Sequence, residues 1–256
     1  MKFLRNVRKA GLKLGELRAS LQSYYRGSSN RDQREFYDLE SALPYFDNVN
    51  RILCRHKRQV LLSFLQGCRS QSMLRPTVLE VGCGVGYFAR ILARQGYHVA
   101  GIDISPRKIQ KAVQASRRES PGEVETAFRI ADIRLLGEDQ ELELWLSEQA
   151  GPGASGRFRS VVAADVLEHV PEEPRRTLAS LRSRILPEGQ LLASVPSRLC
   201  VRDPGHVWRF LPDDWARIFE DSGFSIRARE VSRICWYGIP TPLPLAEVFD
   251  LRASGN

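Results

Sequence analysis

Short runs of β-branched and apolar residues alternate with stretches of helical periodicity from Pro76 onward. Short apolar runs favour buried strands, and apolar positions recurring every three or four residues favour amphipathic helices. The pattern predicts six strands, at Thr77–Val81, His98–Asp103, Val124–Ile130, Phe158–Asp165, Gln190–Val195 and Phe224–Val231. It predicts helices between them at Tyr87–Gln95, Pro106–Arg118, Glu138–Glu148, Glu173–Leu186 and Pro212–Ser222. The tail after residue 236 contains three prolines and predicts no clear element.

Strands separated by helices of this length predict right-handed βαβ crossovers. We therefore expect an α/β protein with a Rossmann-like, doubly wound, mainly parallel sheet and helices on both faces. Ligands of such folds bind beyond the carboxyl ends of the strands. The residues that follow each strand are consequently the candidates for chemistry.

The net charge divides the chain into two parts. Residues 1–70 contain fourteen Lys and Arg against six Asp and Glu, which accounts for the whole formal charge of +8 over 256 residues. We therefore expect a basic helical segment at 1–70, acting as a lid or as a dimer or membrane contact, and a catalytic domain at 71–256.

Composition excludes several classes of protein. With 43% hydrophobic residues the chain can fill a core, so wholesale disorder is excluded. No apolar run approaches the roughly 18 residues of a membrane-spanning helix, and no secretory signal begins the sequence. Five cysteines without CxxC spacing argue against a disulfide framework and a zinc knuckle. These features predict a cytoplasmic protein, peripheral at a membrane if its N-terminal helix binds one.

The first predicted strand runs into a glycine-rich turn with the sequence Glu80-Val-Gly-Cys-Gly-Val-Gly86. Glycine lets a ligand approach backbone that a Cβ would block, and the turn aims helix N-terminal amides at that ligand. The dinucleotide fingerprint GxGxxG would need glycine at position 87, where this chain has Tyr87. The pattern is GxGxG, which disfavours a nicotinamide dehydrogenase.

Carboxylates follow the next three predicted strands. Asp103 ends the second strand, where it could accept hydrogen bonds from both hydroxyls of a ribose. Asp132 follows the third strand, although an aspartate there could also only cap a turn. Asp165 ends the fourth strand, within Asp165-Val-Leu-Glu-His169.

Together these motifs resemble the class I S-adenosylmethionine-dependent methyltransferases over about residues 50–231. The resemblance implies S-adenosylmethionine as cofactor and S-adenosylhomocysteine as product, with Asp103 on the ribose. It also implies that Asp132 accepts from the adenine amino group while Ile133 packs on the ring. The family sheet has seven strands, the last antiparallel, and we expect the seventh near Trp236. The complete set of cofactor-binding residues that it implies is Glu80, Gly82, Cys83, Gly84, Gly86, Asp103, Ile104, Asp132, Ile133, Asp165, Val166 and Leu167.

Two histidines are candidates for the general base that a hydroxyl acceptor needs. His169 directly follows the fourth strand, and His206 lies in the loop after the fifth. Leu-Glu-His-Val stretches like this one also occur in the ubiquinone-biosynthesis O-methyltransferases, which implies either a catalytic histidine or a divalent ion at Asp165, Glu168 and His169. We predict catalytic roles for His206 and His169 and no metal.

Residues 1–26 predict a helix with a narrow apolar seam and basic flanks. The seam favours packing against the catalytic domain or in a homodimer, and the basic flanks favour an anionic membrane surface. Nucleic acid is disfavoured, because aromatic residues are sparse there and residues 71–256 add no net positive charge.

The sequence therefore predicts a methyltransferase (EC 2.1.1.-) that transfers a methyl group to a small-molecule acceptor. The expected acceptor is a hydroxyl of a phenolic, sugar or lipid-linked compound. The alternatives are N- or C-methylation, methylation of RNA or protein, and a binding module that holds the cofactor without catalysis.

Overall fold

The computed structural model describes residues 54–66, 76–119, 126–200, 206–236 and 239–254. Six α-helices lie in this part of the chain: α1 Arg55–Gln66, α2 Tyr87–Arg94, α3 Pro106–Glu119, α4 Gln140–Ala150, α5 Pro174–Arg182 and α6 Pro212–Asp221. The strands are β1 Thr77–Val81, β2 His98–Asp103, β3 Thr126–Ile130, β4 Phe158–Ala164, β5 Ile185–Pro196, β6 Phe224–Trp236 and β7 Ile239–Ala253.

The seven strands form one sheet in the order β3-β2-β1-β4-β5-β7-β6. Strands β1 to β5 are mutually parallel, and β7 is antiparallel to both of its neighbours. The predicted Rossmann-like α/β fold is therefore confirmed, with a mixed sheet that ends in an antiparallel hairpin. The strand order reverses between β1 and β4, and that is where a ligand crevice forms in doubly wound sheets.

Apolar side chains cover both faces of the sheet. On one face the buried cluster includes Leu142, Leu146, Leu178, Trp215 and Phe219, from α4, α5 and α6. On the other face it includes residues from α1 and α2: Val60, Leu61, Leu65, Phe88 and Leu92. Since α1 precedes residue 70, this part of the basic N-terminal segment packs directly on the sheet.

The seventh strand is formed by the proline-containing tail. Pro244 and Pro240 pair with β6 alone, while β7 pairs with β5 only from Ala246 to Leu251. Proline has no N–H to donate to a neighbouring strand, so it is tolerated in the part of β7 that has a neighbour on one side only. The seventh strand expected near Trp236 is therefore present, and it runs from Ile239 to Ala253.

The predicted helix at Glu173–Leu186 is shorter than expected. It begins at Pro174 and ends at Arg182, because Ile185 already pairs with Phe158 in the sheet. Pro187-Glu-Gly189 does not end a helix; it forms an irregular part of β5, where Glu188 adopts a φ of 61°.

The predicted helix at residues 1–26 lies outside the described residues, so the membrane and homodimer contacts assigned to it stay predictions. Among the residues that the structure describes, no helix combines the length and the hydropathy needed to cross a bilayer.

Candidate active site

A cavity opens at the carboxyl ends of β1, β2 and β4 and contains about 660 Å³ of space, its open mouth included. Nine residues predicted from the sequence line it: Gly82, Gly84, Asp103, Ile104, Asp132, Ile133, Asp165, Val166 and His169. The side chains of three further predicted residues are buried beside or behind this wall: Glu80, Cys83 and Leu167.

The glycine turn between β1 and α2 has three left-handed residues. Gly82, Gly84 and Gly86 have φ values of 65°, 55° and 65°, a region that glycine enters without steric cost. A Cβ at Gly82 would lie 2.3 Å from Val166 Cγ2, and one at Gly86 would lie 2.6 Å from Phe128 Cζ. A Cβ at Gly84 would meet nothing within 4 Å. Gly82 and Gly86 are therefore required by packing, whereas Gly84 leaves the cavity open to a ligand.

Asp103 is 8% exposed and is held at the floor of the cavity by two backbone amides. The Gly84 amide donates to Oδ2 at 2.8 Å, and the Ser105 amide donates to Oδ1 at 2.9 Å. A carboxylate oxygen can accept two hydrogen bonds, so this arrangement fixes Asp103 and stays compatible with ribose hydroxyls.

Asp132 is bound by a residue that the sequence did not single out. The Arg134 guanidinium donates to Oδ2 from Nε at 2.9 Å and from Nη2 at 2.6 Å. The Arg134 amide donates to Oδ1 at 3.0 Å, so Asp132 also caps the short 3₁₀ turn Ile133–Leu135. Both the turn-capping role and the position beside the cavity are present, and the contact with adenine stays a prediction.

Glu80 lies buried behind the glycine turn, and burial raises the pKa of its carboxyl to about 8. The nearby charge of Asp103 raises this pKa further, while a backbone hydrogen bond from Ala89 and the charge of Arg90 oppose the rise. Burial likewise raises the pKa of the Cys83 thiol well above its usual range. Cys83 is therefore a small packing residue, because the nucleophilic form of cysteine is the thiolate.

Replacing Glu80 by glutamine is expected to change how stability depends on pH. Because folding raises the pKa of Glu80 from 4.5 to about 8, the native state holds this proton more tightly. Its contribution to stability is complete below pH 4.5 and is lost as the pH rises to 8. The free energy of unfolding should therefore fall, relative to Glu80→Gln, by up to about 5 kcal/mol between pH 4.5 and 8.5. Denaturant titrations measure this difference.

The matched control for this prediction is Glu148→Gln, because Glu148 is exposed on α4. Parallel pH profiles for the parent and Glu80→Gln would contradict the assignment of a buried, protonated Glu80.

The two predicted histidines lie against each other. Their ring centroids are 4.9 Å apart and the rings are inclined at 65°. His169 belongs to the 3₁₀ turn Leu167–His169 after β4, and His206 comes from the loop after β5. The structure thus brings together two candidate bases that lie far apart in sequence.

Hydrogen bonds to main-chain carbonyls hold the loop after β5 in this position. The Val207 and Trp208 amides donate to the Glu168 carbonyl at 2.9 and 3.0 Å. The Trp208 indole donates to the Val170 carbonyl at 2.7 Å. The position of His206 is therefore built into the contact between the two loops.

Glu168, His169 and His206 could also hold a metal ion. One donor atom from each lies within 4.8 Å of the others, and Glu168 is buried. Two imidazoles and a carboxylate form a ligand set that suits zinc or another transition metal. This set differs from the alternative considered from the sequence, because Asp165 is bound elsewhere. Ser194 Oγ donates to Asp165 Oδ1 at 2.8 Å, and Lys57 forms an ion pair with Oδ2.

Three cations near the cavity were not identified from the sequence. Lys108 and Arg134 line the cavity wall, and Lys57 of α1 forms an ion pair with Asp165, which also lines it. The position of Lys57 could have been noticed in the sequence, because it lies on the same face of the helix as Val60 and Leu61. A lysine on the apolar stripe of a helix indicates that its ammonium group has a buried partner. The sequence around Lys108 and Arg134 shows no comparable pattern.

Comparison with known proteins agrees with this geometry. A family model described as a methyltransferase domain matches residues 44–229, most of the chain. A ubiquinone biosynthesis O-methyltransferase from Xylella fastidiosa is 34% identical over 141 residues, which are 53% of this chain and 50% of that protein. One from Aromatoleum aromaticum is 27% identical over 175 residues, 65% of this chain and 64% of that protein. The chain thus spans about half the length of the first relative and less than two thirds of the second.

Among solved structures, magnesium protoporphyrin IX methyltransferase from Synechocystis, with bound S-adenosylmethionine, has a TM-score of 0.61 at 18% identity. The match covers 85% of this chain and 93% of that one, and it supports the fold. The matching family model, the fold and the order of the motifs together show that this chain belongs to the class I S-adenosylmethionine-dependent methyltransferases.

Proposed function

We propose that this protein transfers the methyl group of S-adenosylmethionine to a hydroxyl of a small molecule. The observation that carries the proposal is the cavity that joins the glycine turn, the fixed carboxylate of Asp103 and His169, whose ring contacts that of His206. A cofactor site and a candidate base thereby open on the same space.

The residues present fit the cofactor. The open position at Gly84 lets a ligand reach the turn, and the Asp103 carboxylate beside it suits a ribose. Ile133 lines the cavity next to Asp132 and offers an apolar surface for a base ring. Gly82 and Asp165, which line the same cavity, would hold the amino-acid end of the cofactor.

Bound S-adenosylmethionine supplies a methyl group on a sulfonium, so that the acceptor oxygen bonds to carbon while the carbon–sulfur electron pair stays on sulfur. The work left to the protein is to place the acceptor in line and to remove its proton. Orientation alone can supply much of the barrier reduction. His206 or His169 accepts the proton at a ring nitrogen, and the pair is held by the Glu168 main-chain contacts.

Exposed apolar side chains support an acceptor with an apolar part. Leu199 and Val207, both in the segment after β5, are 64% and 48% exposed. The Ser197 amide donates to the Leu245 carbonyl at 3.2 Å, which joins this segment to the hairpin where Leu243 is 53% exposed. A phenol or a lipid-linked hydroxyl with a hydrocarbon substituent suits such a surface better than a free sugar. The relatives named above as ubiquinone biosynthesis O-methyltransferases agree with this choice.

Residues 1–70 are proposed to serve the catalytic domain as a lid, a dimer contact or a membrane contact. The packing of α1 on the sheet supports the first of these roles, since it places the end of this segment against the domain.

The proposed function is tested by incubation with S-adenosylmethionine carrying an isotopically labelled methyl group. The acceptors are a catechol, an alkyl-substituted catechol, a free sugar and an aromatic amine, and the products are identified by mass spectrometry. We expect labelled oxygen ethers, formed fastest from the alkyl-substituted catechol. Labelling of the amine alone would favour N-methylation, and cofactor binding without transfer to any of the four would favour the non-catalytic alternative.

A further inference from the structure

The first turn of α1 contacts three elements of the domain, and one of these contacts reaches the cavity wall. His56 Nδ1 accepts a hydrogen bond from the Arg233 amide of β6 at 3.0 Å. The Arg58 guanidinium lies 4.8 Å from the ring centroid of Tyr87, the first residue of α2. Between them, Lys57 forms an ion pair with Asp165 at the end of β4. The segment before β1 is therefore joined to the cavity at its first helical turn.

Lys57 is a buried cation. Its side chain is 6% exposed, whereas that of Asp165 is 42% exposed. Burying an ammonium group costs free energy unless it is paired and hydrogen-bonded. The stripe formed with Val60 and Leu61 would accommodate an apolar side chain at position 57, so packing alone does not require a lysine.

Asp165 is fixed from several directions. Its φ of 56° lies in the left-handed region, which is uncommon for residues other than glycine. Its amide donates to Ser194 Oγ at 3.0 Å, and the Ser194 hydroxyl donates to its Oδ1 at 2.8 Å. Lys57 binds the other carboxylate oxygen. The Asp165 carboxylate is thus fixed in position beside the cavity. Because both of its oxygens are already bound, it is a poor candidate for a general base.

The charge of Asp165 matters because the two forms of the cofactor differ in charge. It lines the cavity with Gly82 and His169, at the end proposed for the amino-acid part. S-Adenosylmethionine carries a sulfonium there, and its demethylated product does not. An uncompensated carboxylate would bind the charged ground state more tightly than the transition state, in which this charge is disappearing. Binding that favours the ground state lowers the turnover number.

We propose that Lys57 is a positioning residue that holds Asp165 and cancels its charge, so that the site does not trap the sulfonium form of the cofactor. This inference rests on the proposed function, because it concerns the cofactor of the same site. It assigns a catalytic consequence to a residue of the N-terminal segment that lies outside the glycine turn and the strand-end motifs.

The test compares the affinities of the full-length protein for S-adenosylmethionine and S-adenosylhomocysteine by calorimetry. Lys57→Met should raise the preference for S-adenosylmethionine over S-adenosylhomocysteine by about tenfold, which corresponds to about 1.4 kcal/mol. The KM for S-adenosylmethionine and the kcat should fall together. Lys57→Arg keeps the cation and should keep the parental ratio.

Asp165→Asn provides a second, opposite variant, in which the side-chain amide oxygen still offers an acceptor to Ser194. It leaves the Lys57 cation without its counter-charge, so the preference should shift towards S-adenosylhomocysteine. Equal changes in both affinities for Lys57→Met, or unchanged ratios in both variants, would overturn the inference. Absence of binding of either molecule to the parent would instead refute the proposed function, so the two failures are distinguishable.

Discussion

Gly84→Ala is expected to weaken S-adenosylmethionine binding by about 10- to 100-fold while the protein still folds, because an extra methyl group in a packed contact costs about 1–3 kcal/mol. A Cβ at this position meets nothing within 4 Å, so alanine clashes with no part of the protein itself. The cost to folding is limited to the left-handed φ of 55°, about 1–2 kcal/mol. The added methyl group stands where the turn faces the cavity and would keep the ligand from the backbone. Calorimetry and thermal denaturation measure the two effects separately.

Gly82→Ala and Gly86→Ala are the matched variants. Their added Cβ atoms would lie 2.3 Å from Val166 and 2.6 Å from Phe128, so we expect a much larger loss of stability than in Gly84→Ala. If Gly84→Ala bound the cofactor with parental affinity, the ligand could not approach the turn as closely as we propose.

Removal of the catalytic base is the second large effect. We expect His206→Ala or His169→Ala to lower kcat by about 10²–10⁴-fold, the usual contribution of a positioned general base. Affinity for S-adenosylmethionine should change little when the base is removed, because we propose that its ring acts on the acceptor and not on the cofactor. The measurements are turnover with a phenolic acceptor and calorimetric titration of the cofactor. His98→Ala is the control, since His98 begins β2 at the opposite edge of the sheet.

A chelator distinguishes a histidine base from a histidine metal ligand. If Glu168, His169 and His206 hold a metal ion, a chelator should abolish parental turnover and added zinc or another divalent ion should restore it. If one histidine is the base, the chelator should have no effect. Near-normal turnover in both histidine variants would exclude the assignment of either as base.

The sheet was largely predictable because each of its parallel strands carries a short apolar run. Strands β1, β2 and β4 are buried along nearly their whole length, and strands buried on both faces appear in sequence as nearly continuous apolar segments. The seventh strand could not be predicted from the sequence, because its prolines usually exclude a strand. They are tolerated here since this part of β7 pairs with β6 alone. The sequence Pro187-Glu-Gly189 led to the wrong prediction that a helix ends there, because it is typical of a helix end, whereas it lies inside β5.

The site was predictable where it follows the strand ends. Asp103 ends β2, Asp165 directly follows β4, and Asp132 lies two residues after β3. Parallel strands place these positions at one edge of the sheet. The ion pairs around them were not predictable. Lys57 is 108 positions from Asp165, and that pairing depends on how α1 packs on the sheet.

The most direct test of the whole account is a calorimetric titration of the intact protein, and of Asp103→Asn, with S-adenosylmethionine and S-adenosylhomocysteine. If the ribose hydroxyls donate hydrogen bonds to the Asp103 carboxylate, removal of that charge should lower the affinity for either molecule by at least about tenfold. We predict saturable binding of both molecules to the parent and weaker binding of both to Asp103→Asn. Failure of the parent to bind either molecule, or undiminished binding by Asp103→Asn, would contradict the central claim that this carboxylate holds the cofactor.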